Sequence, residues 1–153
     1  MSHPASVRVS IDVEVEPHAA FEVFTAEIDA WYQRGRHSFT NPKRAVGIRF
    51  EGGAGGRLVE LYDAQSGEGR TMAEVTVWEP GARLVFVDNR GTEVEVRFEA
   101  VGPNTRVTLE HRGLERLRPE LAERHARHGW RLLIPWYSGY LATREAREGI
   151  GDE

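Results

Sequence analysis

Residues 83–112 read RLVFVDNRGTEVEVRFEAVGPNTRVTLEHR. Apolar and polar residues alternate through Val94, Val96 and Phe98, and again through Val107, Leu109 and His111. A period of two marks strands with one wet face. Two turn sequences, Asn89-Arg90-Gly91 and Gly102-Pro103-Asn104, interrupt the alternation. Facing residues of an antiparallel pair must share a face, and this sets the register. With Asp88 opposite Thr92, Leu84 and Phe86 meet Val96 and Val94, and the loop places Gly91 where a left-handed conformation is wanted. With Ala100 opposite Thr105, Phe98 meets Val107, Val96 meets Leu109 and Val94 meets His111. The two registers agree and predict Phe86, Val94 and His111 in one row across three strands.

Asp88 and Thr92 then lie one pair further toward the end of the sheet. The inner face is apolar in its middle and carries three polar groups, Asp88, Thr92 and His111, at one end. A mostly apolar hollow with few polar anchors is the usual form of a small-molecule site. Plainer readings stand beside this one. An aspartate next to Asn-Arg-Gly caps a turn, and a histidine at a strand end bonds backbone or water.

Upstream, Val7, Val9, Ile11, Val13 and Val15 alternate with polar residues as a first strand. Pro17 suits a first helical turn, and Ala20, Phe21, Val23, Phe24, Ile28 and Trp31 continue at helical spacing, so one or two short helices are expected over 17–33. Gly35 to Asn41 reads as loop. Val46 to Phe50, Leu58 to Tyr62 and Thr71 to Trp78 are further strands, separated by glycine-rich turns.

Downstream of Gly113 the period changes. Pro119 opens one long helix, expected to reach about Arg147 with a frayed tail from Glu148. Glu120–Arg124 and Glu123–Arg127 sit four apart in the favourable orientation. Leu121, His125, His128, Leu132, Trp136 and Tyr140 form the stripe expected to face the sheet, widened by Trp130, Leu133, Ile134, Tyr137 and Leu141. Pro135 removes a donor inside this helix, which predicts a kink there. His125 and His128, three apart, suit a shared metal only with a third ligand, and no spacing supplies one. The glycines at 52–56 lack a following helix and a Walker lysine, so they read as a hairpin turn.

The order is α+β: a strand, short helices, about six more strands and a long helix, whose apolar faces must cover each other. At 153 residues the chain is sized for one domain, 1–153, with its core over about 6–147. It has no cysteine, which excludes a disulfide framework and a thiolate metal site and fits a reducing, cytoplasmic setting. A net charge of −4 with mixed signs speaks against nucleic acid as a partner. No apolar run reaches the roughly 20 residues needed to span a bilayer, so membrane insertion is not expected.

A resemblance is carried by Phe24-Thr25 through Trp31, Gly55-Gly56-Arg57-Leu58, and Glu74-Val75 through Trp78-Glu79-Pro80. Further segments are Arg83-Leu84-Val85-Phe86, Thr105 through His111, and Gly129-Trp130. In this order and spacing they resemble the SRPBCC superfamily (START-like, helix-grip). Within it they are most similar to the bacterial relatives of the activator of the heat-shock-protein-ninety ATPase. The resemblance implies a curved antiparallel sheet of about seven strands around a long C-terminal helix, often with a hydrophobic cavity. Met72-Ala73 stands where the family commonly has a Trp-Gly pair, and Asp88 where an aromatic often closes the strand.

Three functions remain open. The first is non-enzymatic binding of a small, largely hydrophobic molecule, with no cofactor and no metal. Its walls are expected from Trp31, Phe86, Phe98, Leu133, Trp136 and Tyr140, with Asp88 and His111 orienting the polar end. The second is a cyclase- or hydrolase-like enzyme on an aromatic or polyketide-like substrate, with His111 as catalytic base and Asp88 orienting it. The third is a stress-related or co-chaperone interaction module. A homodimer is the base-rate expectation.

Overall fold

The alternating segment folds in the expected register. β5 (Arg83–Asp88), β6 (Glu93–Val101) and β7 (Asn104–Arg112) are successive antiparallel strands in a computed structural model. This structure describes residues 6–33 and 40–151, except the side chains of 126–128 and 145–151. The Asp88 N–H donates to the Thr92 carbonyl at 2.9 Å, and Gly91 takes φ 84°. Phe86 pairs with Val94, and Val94 with His111. The row extends further on both sides: Val75 of β4 (Gly69–Glu79) faces Phe86, and Val7 of β1 (Ser6–Val13) faces His111.

β2 (Gly47–Glu51) and β3 (Arg57–Leu61) complete a seven-stranded antiparallel sheet in the order β1-β7-β6-β5-β4-β3-β2. Register shifts at Leu58/Val59 and Val75/Val77 bend the β3–β4–β5 side, as bulges do. On the outer face Glu95 is buried beneath Arg83, Arg97 and Arg112, all hydrogen-bonded to it.

The two short helices fall where the periodicity puts them, at α1 (Pro17–Thr25) and α2 (Ile28–Trp31). Glu16 caps α1 by accepting from the His18 and Ala19 N–H groups. Asp29 of α2 accepts from Ile48 N–H at 3.0 Å and so ties α2 to β2. Phe21, Phe24, Ile28 and Trp31 enter a core shared with Leu84, Val96, Phe98 and Leu109 of the sheet. The expected loop at 35–41 lies outside the described residues up to residue 39.

A long C-terminal helix is present, and its expected start at Pro119 is the correction. The chain instead forms α3 (Pro119–His128) and α4 (Trp130–Gly151), with Gly129 between them at ψ −131°. Gly129 N–H still donates to His125 O, while its own carbonyl accepts from Leu132 and Leu133. A Cβ at position 129 would lie 2.4 Å from the His125 carbonyl oxygen, so only glycine fits this joint. The break resets the helical phase. Leu132, expected to face the sheet, is 40% exposed, whereas Trp130, Leu133, Ile134, Tyr137 and Leu141 are buried. Pro135 lies inside α4, six residues past the break. The helix continues to Gly151, past the expected fraying at Glu148.

Two hydroxyls fasten α4 to the early helices. Tyr137 donates to Ala20 O at 2.7 Å and Tyr140 to Glu27 at 2.6 Å. α3 rests elsewhere: its Ala122 packs with Val7 and Leu114 in a small cluster separate from the main core.

Candidate ligand-binding cleft

Between these two clusters the sheet is not filled. A cleft of about 580 Å³, open on one side, lies over the row that holds Phe86, Val94 and His111. The offset of α3 explains it. The helix leaves the core at Gly129, and its support at Ala122 lies beyond β7, at Val7 of β1. Leu121, Arg124 and His125 of α3 form one wall, and Trp130 and Leu133 at the start of α4 form the back. Leu58, Met72 and Ala73 extend the floor into β3 and β4. Tyr32 and Thr40 close one side. Trp130 meets Phe86 edge-on at 6.0 Å between ring centroids and stacks on Phe24 at 6.2 Å.

At the polar end three side chains form a hydrogen-bonded chain. The Asp88 carboxylate accepts from the Arg90 N–H at 2.9 Å, the Thr92 N–H at 3.0 Å and the Thr92 hydroxyl at 2.8 Å. The Thr92 hydroxyl oxygen is 2.9 Å from His111 Nε2. A hydroxyl has one proton to give. Since Thr92 gives it to Asp88, His111 donates from Nε2, which leaves a lone pair on Nδ1. That Nδ1 is buried and has no partner among the described residues. Burial, and then the neighbouring His125, push the His111 pKa down to about 4, against a smaller upward pull from Asp88. His125 meets the His111 ring edge-on at 5.2 Å. It too is pushed down, by burial and then by Arg90. Both imidazoles are neutral at pH 7.

Opposite this end, Glu60 is fully buried and satisfied. It accepts from the Thr40 and Asn41 N–H groups and from the Tyr62 hydroxyl. Glu60 therefore pins the strand of chain beside Thr40 to the sheet. Burial and the Glu60 charge push the Tyr32 hydroxyl up, so it stays protonated.

Of the residues expected from the sequence, Phe86, Asp88, His111 and Leu133 line the cleft. Trp31, Phe98, Trp136 and Tyr140 do not. Trp31 is buried in the core with its indole N–H on Val23 O, and Phe98 packs edge-on against Phe21 and Phe24. Tyr140 turns to Glu27, and Trp136 packs edge-on against Tyr32. The phase reset at Gly129 accounts for the two α4 residues. Met72 and Ala73, the departure from the family's usual pair, both border the cleft, and Ala73 stands opposite Asp88.

The reading of the sequence missed Trp130, Tyr32, and the arginines Arg70, Arg90 and Arg124, which also border the cleft. One signal was present: Arg124 follows Leu121 by three residues and so shares its face. The expected pairing of Arg124 with Glu120 does not form, and that of Glu123 with Arg127 involves a side chain outside the described residues. The same is true of His128. Among the described residues no group of three or more His, Asp or Glu side chains is placed to hold a metal ion. No described helix is long and apolar enough to cross a membrane.

Comparison with known proteins agrees with this architecture. The family model described as activator of Hsp90 ATPase homolog 1-like protein matches residues 14–134. No curated protein matches the chain. Among solved structures, the chain is similar to the AHSA1-like protein of Aeromonas hydrophila, with 22% identity and a TM-score of 0.63 over 91% of this chain and 94% of that one. It is similar to the Aha1 dimer of Colwellia psychrerythraea, with 16% identity and a TM-score of 0.64 over 90% and 96%. It is also similar to an anthrahydroquino-gamma-pyrone synthase, with 23% identity and a TM-score of 0.56 over 91% and 99%. These likenesses establish the helix-grip fold.

Proposed function

The chain belongs to the family of activator of Hsp90 ATPase homolog 1-like proteins, and on that premise we propose that it binds a small, largely hydrophobic, ring-bearing molecule in the cleft and does not turn it over. The observation that carries this reading is the orphaned Nδ1 of His111. A buried acceptor left unpaired costs about 1–3 kcal/mol. A ligand hydroxyl donating to it removes that cost. The aromatic surfaces of Phe86 and Trp130 supply contact for the rest of the molecule. A fold neighbour named as a synthase of a fused-ring pyrone fits the same ligand class.

The proposal places the protein in the cytoplasm, consistent with a chain that has no cysteine. It also makes the protein a homodimer, as the Colwellia protein is.

A second reading has one observation in its favour. The Asp88–Thr92–His111 chain orients the imidazole as a catalytic base requires. Basicity weighs against it. General-base efficiency is greatest near the working pH, and His111 sits at about 4. The interaction-module reading lacks a patch. Among the described residues the exposed large hydrophobic ones are Val46, Val101 and Leu132, which stand before β2, at the end of β6 and on α4.

The test is native mass spectrometry of freshly purified protein, followed by titration with 2-naphthol while the His111 imidazole is followed by nitrogen NMR. A co-purifying small molecule, or saturable naphthol binding that moves the Nδ1 signal, supports the reading. If neither a co-purifying molecule nor saturable naphthol binding is found, the reading is abandoned.

A further inference from the structure

On the outer face of the sheet, arginine is answered by carboxylate. Arg8 meets Glu110, Arg106 meets Asp12, and Arg83, Arg97 and Arg112 share Glu95. Arg70, Arg90 and Arg124 differ: none of their side chains makes a hydrogen bond or ion pair to another described residue. Yet they converge on one cleft from three separate elements, β4, the β5–β6 turn and α3. Among the described residues Asp88 is the one carboxylate in the cleft lining, and its oxygens already accept three hydrogen bonds from the turn. The two histidines of the lining are neutral. A chain of net charge −4 has thus gathered three arginines without an ion-pair partner at the rim of its hollow, and the carboxylate of Glu60, across the strand pair from Arg70, is taken up by Thr40, Asn41 and Tyr62.

Like charges brought together without a counter-charge repel, and a bound anion relieves this. The guanidinium fork suits a planar carboxylate in particular. We propose that the molecule held in the cleft is an organic acid, with its carboxylate between Arg70, Arg90 and Arg124 at the rim and its ring system directed inward toward Phe86 and Trp130. This rests on the cleft being a binding site, as argued above. The acid group sets specificity and steers the ligand to the open side. The apolar body and the His111 acceptor hold the inner end.

The experiment compares two probes that share a ring system, 2-naphthol and 6-hydroxy-2-naphthoate, by calorimetric titration at neutral pH and low salt. The proteins are wild type, an R70Q/R90Q/R124Q triple variant, and the single variant Arg124→Glu. The three arginines are exposed, so the triple variant is expected to keep its melting temperature. Arg124→Glu provides an independent reading should it not. Wild type is expected to bind the naphthoate at least about tenfold more tightly than the naphthol, the worth of a charge-assisted contact. That preference should vanish in the triple variant and weaken in Arg124→Glu, the naphthoate losing more affinity than the naphthol in each. Equal affinities in wild type, or naphthoate binding that survives both variants, overturn the acid inference and leave the cleft as a binder of neutral molecules. Binding of neither probe overturns the inference and the proposed function together.

Discussion

Thr92 passes its one hydroxyl proton to Asp88, 2.8 Å away, and thereby decides which nitrogen of His111 is protonated. Thr92→Val keeps the shape and removes the hydroxyl. Asp88 then loses one of three donors and His111 Nε2 loses its acceptor. The expected cost is about 1–3 kcal/mol in urea unfolding, with the imidazole released from its Nε2–H tautomer. An unchanged midpoint together with an unchanged nitrogen spectrum would refute the hydrogen-bond chain.

The neutral, buried His111 makes stability depend on pH. Its pKa falls from the ordinary 6.5 to about 4 on folding, so between these values the unfolded chain binds more protons. Stability therefore rises with pH through this window and is lost as pH falls from about 6.5 toward about 4. The shift corresponds to at most about 3 kcal/mol. His125 contributes in the same direction. His111→Phe should flatten the profile of unfolding free energy between these limits, and a variant with the wild-type slope would dissociate His111 from the effect.

On the outer face, Glu95 should act in the same sense but at lower pH. Burial pushes its carboxyl up, and hydrogen bonds from Arg112, Arg97 and Arg83 pull it further down, to about 2. Its contribution is present above the ordinary carboxylate range and is lost as pH falls through about 2. Glu95→Gln leaves three guanidinium groups without their shared partner. Because those arginines are partly solvated, the expected loss is about 1–2 kcal/mol, read as a lower urea midpoint at pH 7 and little difference at the acid extreme.

Gly129→Ala offers a test of sign. In a continuous exposed helix this change stabilises by about 1 kcal/mol. Here the new methyl group would meet the His125 carbonyl oxygen at 2.4 Å. The expected outcome is destabilisation by about 1–3 kcal/mol and weaker 2-naphthol binding, because α3 shifts over the cleft. Stabilisation would mean that α3 and α4 are one helix.

How much of this the sequence disclosed follows from where each signal resides. The β5–β7 register was legible because a period of two and two glycine turns leave one consistent pairing, and that pairing put His111 beside Val94. The joint at Gly129 was not legible. A glycine within a helical pattern carries no mark that separates a tolerated residue from a break, and the stripe carried across it through Leu132, Trp136 and Tyr140 was assigned to the wrong phase, whereas Leu133 was placed correctly. Trp136 and Tyr140 were misplaced for that reason. The rim arginines were hidden differently. Arg124 on a helix full of charges reads as solvated, and only the fold brings it to the same opening as Arg70 and Arg90.

The glycine joint also divides labour along the C-terminal segment. Tyr137 and Tyr140 secure α4 to the early helices, whereas Leu121, Arg124 and His125 on α3 look onto the hollow. A family built this way can exchange the residues of one helical arm to suit a new guest while the other arm keeps the scaffold upright. Divergence in cargo then need not be accompanied by divergence in architecture.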